Sequence, residues 1–270
     1  MACLLSAFLT ILLISLFPSA LSLAFLPTNP TDCVTQAARS VARAFNEGGH
    51  NRQILRLPLS EAIYKDREEG FVADRAIGWQ GGPEETYRYL SPIVESLLRK
   101  IRLEDAPGDG GLTVKVSEQI LLDFDGSALQ TGEHPAGALY DVQALLQPNA
   151  DSYYLKTMRT IEEQFSNTPG KPRRLFLVVN PAWRDASSFG LFDSGKARSV
   201  LDNYETTYAC DQFVVRGRKV SLLKCWPEDW DVFVEDESDA TMPARLIGTF
   251  EARPTYDEID AGVVEYLMNS

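Results

Sequence analysis

Apolar residues recur at helical spacing in two long stretches of the chain. Val34, Ala37, Ala38, Val41, Ala42 and Phe45 make one face of a segment from Cys33 to about Asn46. Thr31 or Asp32 is placed to cap it, and Gly48-Gly49 to stop it. Tyr87, Leu90, Val94, Leu97, Leu98 and Ile101 line one face of Pro83–Ile101, opened by Gly81-Gly82-Pro83, and Pro92 predicts a kink there. A third helix follows Pro148-Asn149 and runs to about Phe165, and Tyr256–Met268 closes the chain as a fourth.

Short apolar runs predict strands between these helices. Ile54–Leu59, Thr113–Val116, Gln119–Phe124 and Leu139–Leu146 are such runs, and Leu175–Val179 is a continuous buried one, Leu-Phe-Leu-Val-Val. Strand, helix, strand at this spacing implies parallel crossover units. The rhythm then changes. Asp211–Val215, Val220–Cys225 and Trp230–Glu235 are short strands with tight connections, an antiparallel meander whose first turn is Arg216–Lys219. Leu246–Phe250 adds a strand. Lys65–Ala76, Asp105–Gly111 and Thr168–Pro172 read as surface loops and turns. The expected fold is one α/β domain over residues 31–270. Its mixed sheet has a parallel N-terminal portion and an antiparallel C-terminal meander, with helices on both faces.

The first 24 residues stand apart. No charged residue precedes Asp32, Leu4–Phe17 is apolar, and Ser22-Leu23-Ala24 offers small residues at the −3 and −1 positions of a signal-peptidase site. The expectation is a cleaved signal peptide over 1–24. The Phe25 that follows resembles the phenylalanine at the cleavage junction of presequences for complex, red-type plastids, with 25–30 as a short transit or linker segment. Plain secretion is the alternative destination. Beyond the leader there is no second hydrophobic span, so no integral membrane segment is expected in the mature chain.

Charge and chemistry narrow the classes further. The net charge of −12, with no Lys/Arg-rich run, argues against nucleic acid as a partner. Two histidines and four cysteines, one of them Cys3 in the leader, give no zinc or triad spacing, so no metal and no cofactor are expected. If Arg216–Lys219 is a four-residue loop, Cys210 falls opposite Cys225, within reach of a disulfide. Two unpaired thiols near a sheet are the alternative.

Two segments carry candidate chemistry. Asn180–Gly190 follows the Leu175–Val179 strand, where open α/β sheets place their binding crevices. Asn180, Trp183, Arg184 and Ser188 would supply hydrogen bonds and a stacking surface for a ligand or partner. The plainer reading is that Asn180-Pro181 ends the strand and Trp183 packs over it, and the lack of a Gly-rich phosphate loop favours that. Ile120–Ser127 resembles the first motif of haloacid-dehalogenase-like phosphatases, with Asp123 as nucleophile, Asp125 as acid/base and magnesium between them. Val234–Asp239 mimics the acidic metal motif of those enzymes, but no lysine in a convincing context lies between the two. Trp226-Pro227 and Trp230 read as packing in the meander.

A set of motifs in fixed order resembles a plastid family known as domain of unknown function 1995. They are Leu177–Trp183, Ser187–Gly190, Tyr204–Tyr208, Lys224–Pro227 with Trp230–Phe233, and Ile247–Thr249 with Arg253–Tyr256. Leu57-Pro58-Leu59 and Gly81-Gly82-Pro83 extend the likeness to roughly residues 31–267. Ala182 and Trp226 depart from the usual family residues. The resemblance implies a non-catalytic plastid auxiliary protein, one that aids assembly or maintenance of photosystem II with protein partners of the photosynthetic apparatus. Members fused to a plastid adenylate kinase suggest, as an alternative, a nucleotide-phosphate-linked enzyme. A small-molecule binding module is the third reading.

Overall fold

The computed structural model describes residues 25–58, 82–104, 106, 108, 115–122, 126–164, 174–235 and 244–269. The expected leader over 1–24, the segments 65–76 and 168–172, most of 105–111, and Asp123 and Asp125 lie outside the described residues. In chain order the elements are α1 (Pro30–Asn46), β1 (Arg52–Arg56), α2 (Pro83–Lys100), β2 (Lys115–Leu122), β3 (Ser127–Glu133), β4 (Val142–Leu146) and α3 (Ser152–Gln164). There follow β5 (Leu175–Val179), α4 (Gly190–Leu201), β6 (Glu205–Val215), β7 (Arg218–Cys225), β8 (Trp230–Val234), β9 (Arg245–Phe250) and α5 (Tyr256–Asn269). Short 3-10 turns at Ala138–Tyr140 and Ala186–Phe189 precede β4 and α4.

The helices start where local chemistry allows. Asn29, not Thr31 or Asp32, caps α1, its side chain accepting the Asp32 N–H at 2.9 Å. Pro30 fits the first turn because it has no N–H to satisfy and its φ is already helical, so the helix begins upstream of the expected cap. Pro83 opens α2 in the same way. Glu84 and Glu85 in its first turn and Arg99 and Lys100 in its last suit the helix dipole.

The nine strands of the described residues form one sheet in the order β2-β3-β4-β5-β1-β6-β7-β8-β9. The centre, β4-β5-β1-β6, is parallel, and both flanks are antiparallel. The mixed α/β sheet with helices on both faces is as the sequence predicts, with an antiparallel β2-β3-β4 flank in addition. Alternation along β1 sorts the core. Leu55 joins Val34, Phe45, Leu90 and Leu97 under α1 and α2, while Ile54 joins Phe176, Val178, Tyr154 and Trp183 under α3 and α4 on the opposite face. Further along that second face, Ala209, Leu222 and Val232 pack beneath Ile259 and Val263 of α5. Fully buried Gln53 stitches the centre together. Its Nε2 donates to the carbonyls of Val41 and His50 at 3.1 and 2.8 Å, and its Oε1 accepts from Thr207 at 2.8 Å.

Three differences from the sequence reading have physical causes. Strand β3 has no apolar run, because Ser127 and Gln130 are buried polar residues. Helix α4 presents Leu191 and Phe192 to solvent, so its apolar periodicity is weak. Finally, the β6–β7 loop has two residues, Arg216 and Gly217, both at positive φ (50° and 75°), and Val215 pairs with Arg218. This is the twist-compatible hairpin turn, tighter than the expected four-residue loop. It shifts the register by two residues. Tyr208 lies opposite Cys225 and Leu223 opposite Cys210, so the expected Cys210–Cys225 pair is diagonal. Diagonal neighbours sit about 7–8 Å apart, beyond the Cα separation of most disulfides, and Cys33, Cys210 and Cys225 are free, buried thiols. They surround Tyr208, whose hydroxyl donates to Gln36 at 3.1 Å and lies 3.6 Å from the Cys33 sulfur. Burial pushes the Cys33 and Cys225 thiols up to about 12.

Candidate anion-binding crevice

Strands β1 and β5 are adjacent and parallel, but the helices that follow them in the chain, α2 and α4, pack on opposite faces of the sheet. That divergence opens a crevice outside their carboxyl ends, the usual ligand position in parallel α/β sheets. Asn180 builds its floor. At φ 50° it ends β5, and its N–H bonds the Leu55 carbonyl at 2.8 Å. Its side-chain amide then accepts from the Leu57 N–H at 2.7 Å and donates to the Leu57 carbonyl at 2.9 Å. The amide continues the strand ladder where the backbone has turned away, and one N–H and one lone pair remain beyond these two bonds. Arg56, the last residue of β1, fastens the same loop by donating to the carbonyls of Pro181 at 3.4 Å and Trp183 at 2.6 Å.

Two cavities adjoin at Arg56 and Asp211. One of about 430 Å³ is lined by Trp183, Arg184, Phe213, Leu222, Arg253 and Tyr256 among others. The other, about 400 Å³, is lined by Leu57, Asn180, Pro181, Cys210 and Gln212. Three guanidiniums, Arg56, Arg184 and Arg253, therefore line a cavity that has one carboxylate, Asp211. Arg253 pairs with Asp211 at 2.7 Å and lies over the Trp230 ring at 5.3 Å. Burial depresses the Arg56 guanidinium, Asp211 opposes that shift, and Arg253 and Arg184 add to it. Arginine nevertheless stays charged, so the crevice holds excess positive charge in a chain of net −12.

Some polar capacity in the crevice is unspent. Among the described residues, the buried Trp183 Nε1, Arg253 Nε and Gln212 Oε1 have no hydrogen-bond partner. Burying such groups unpaired costs about 1–3 kcal/mol each, a cost that a ligand with matching acceptors and a donor removes. Cys210, the one thiol in the wall, is held well above its ordinary pKa by burial and so stays protonated.

The sequence-predicted residues separate here. Asn180, Trp183 and Arg184 converge on the crevice, but Asn180 is a backbone clamp. Trp183 is 1% exposed and packs on Phe189 at 5.1 Å, so it is part of the core as well as of the wall. Ser188 lines neither cavity, and its hydroxyl accepts from the Arg184 N–H at 3.2 Å. Arg56, Asp211 and Arg253 are not among the site residues read from the sequence. The available signals were a lone arginine ending the Ile54-Leu55 run and the Arg253–Tyr256 motif. Asp123 and Asp125 of the phosphatase-like motif lie outside the described residues. The strand leading to Asp123 and Asp125 is β2, an antiparallel edge strand separated from β5 by β3 and β4. Glu235 of the second acidic motif is paired with Lys219 at 2.8 Å. Among the described residues no helix is long and apolar enough to cross a membrane.

A family model described as a domain of unknown function (DUF1995) matches residues 27–261. No curated protein and no solved structure matches the chain.

Proposed function

The chain belongs to the DUF1995 family, and on that premise we propose that it is a non-catalytic plastid auxiliary protein that works by binding an anionic group in the crevice at the ends of β1 and β5. The observation that carries the binding half is that Arg56, Arg184 and Arg253 line one cavity with a single carboxylate, Asp211, within an acidic protein. Guanidiniums present paired donors that match a carboxylate or phosphate in geometry as well as charge. The plastid half rests on the Ser22-Leu23-Ala24-Phe25 junction and on the family motifs, which also support work beside proteins of the photosynthetic apparatus.

Calorimetric titration of the mature chain with glutarate and with inorganic phosphate tests the site. The expected result is saturable millimolar binding that weakens with salt and falls at least about tenfold in the Arg184→Ala/Arg253→Ala double variant. Binding of neither anion, or binding indifferent to the double variant, overturns the reading. A fluorescent fusion of residues 1–40 tests the destination. Plastid import that is lost on Phe25→Ala supports it, and import unaffected by that change removes the argument from the junction.

A further inference from the structure

The larger cavity has two unlike sides. Arginines line one, and Phe213 of β6, Leu222 of β7 and Tyr256 and Ile259 of α5 line the other. Leu222 and Ile259 are buried, whereas Phe213 is half-buried and Tyr256 is 59% exposed. Two aromatic rings of this wall therefore remain partly in water. Taking such apolar surface out of water favours binding.

The arginines are not equivalent. Arg56 donates to the carbonyls of Pro181 and Trp183, so it lends charge while its fork serves the loop. Arg253 uses one terminal nitrogen on Asp211 at 2.7 Å, but its Nε is buried without a hydrogen-bond partner. Trp183 is 1% exposed, and its Nε1–H is likewise unpartnered. Asp211 shows the kind of group that Arg253 holds, a carboxylate. A phosphate is less well served, because the sequence has no Gly-rich phosphate loop.

This cavity opens on the sheet face of α4 and α5, where Trp183, Leu222 and Ile259 pack. The chain on either side of residues 59–81 packs on the other face, through Leu57 after β1 and Leu90 of α2.

We propose that the cavity takes a small amphipathic carboxylic acid. Its carboxylate accepts from Arg184, Arg253 and the Trp183 Nε1–H, and its apolar body, a ring or a short acyl chain, lies against Phe213, Leu222, Tyr256 and Ile259. The proposal rests on the anion reading above and names what the anion is attached to. A volume of about 430 Å³ suits a small body, since ligand pockets run from about 300 to 1,000 Å³. A few placed polar groups that orient a largely apolar ligand are the usual construction of such pockets.

Calorimetric titration of the mature chain with acetate, 4-phenylbutyrate and 4-phenylbutanol separates the head of the ligand from its body. 4-Phenylbutyrate should bind at least about tenfold more tightly than acetate, which lacks the body, and at least about tenfold more tightly than the alcohol, which lacks the charge. Tyr256→Ala should remove most of the advantage over acetate, and Arg184→Ala/Arg253→Ala most of the advantage over the alcohol. If a variant fails to fold by circular dichroism, the three ligands on the unmodified protein decide. 4-Phenylbutyrate binding no tighter than acetate, while glutarate still binds through Arg253, overturns the amphipathic acid and leaves the anion site standing. The alcohol binding as tightly as the acid also overturns the proposal, because the arginines then contribute nothing to this ligand. Binding of no acid, glutarate included, ends both readings.

Discussion

The two halves of β6 differ in what holds them. From Glu205 to Cys210 the strand is held by β7 and, up to Ala209, by β1. Thr207 and Tyr208 are fully buried, and both hydroxyls are bonded, to Gln53 and Gln36. From Asp211 to Val215 β7 alone pairs with it among the described residues, and unpaired buried groups appear on and beside the strand, at Gln212, Trp183 and Arg253. Within β6, the buried side-chain atoms of the described residues without a hydrogen-bond partner lie beyond Cys210, at Asp211 and Gln212. The first half spends its side-chain hydrogen bonds on the fold, and the second does so only in part.

Substitutions that break the inner half should cost the most. Tyr208→Ala empties a site among α1, β6 and the three thiols, and should lower stability by about 3–5 kcal/mol in urea unfolding. A cost below about 1 kcal/mol would mean that the inner half does not anchor the sheet. Gln53→Leu keeps most of the volume but strands the Thr207 hydroxyl and the carbonyls of Val41 and His50. A loss of about 2–3 kcal/mol is expected, and adding Thr207→Val should recover part of it.

Alkali probes the same half more gently. Burial raises the Cys33 and Cys225 thiols from 9.0 to about 12. A raised pKa in the fold means that the unfolded chain loses these protons first. The contribution is therefore complete below pH 9 and is lost as pH rises from 9 towards 12. Each thiol should remove about 1 kcal/mol of stability by pH 10. Replacing both with serine or alanine should flatten that part of the pH profile. The outer half gives the smallest effect and the sharpest contrast. Arg253→Ala deletes a partly exposed ion pair and should change stability by less than about 1 kcal/mol, while anion binding by the same variant drops clearly. A large loss of stability there would make the arginine structural and erase the distinction between the halves.

The sequence reveals the parts of this molecule that obey one period. Leu175–Val179 is apolar throughout and is buried throughout, and the stripes of α1 and α2 match their buried faces. Strand β3 is hidden because Ser127 and Gln130 face inward, and α4 because Leu191 and Phe192 face solvent. Half of the crevice is legible, in the Asn180-Pro181-Ala182-Trp183-Arg184 run after a buried strand. The other half needs topology. Arg56, Asp211 and Arg253 are scattered along the chain and meet only because β1 inserts between β5 and β6. The tight Arg216-Gly217 turn is equally a matter of backbone geometry, and it decides which residues face each other across β6 and β7.

The insertion of β1 between β5 and β6 also sets an order of events in time. The central strand of the sheet is made first, yet its nearer partner, through Arg52↔Phe176, emerges more than 120 residues later. At synthesis rates of about 5–20 residues per second, both edges of β1 stay open for on the order of ten seconds. During that interval Ile54 and Leu55 are an apolar, unpaired template of the kind that invites wrong pairing. A nascent or translocating chain with this topology has a long exposed interval built in, and holdase chaperones acting on it would find their binding site near its beginning.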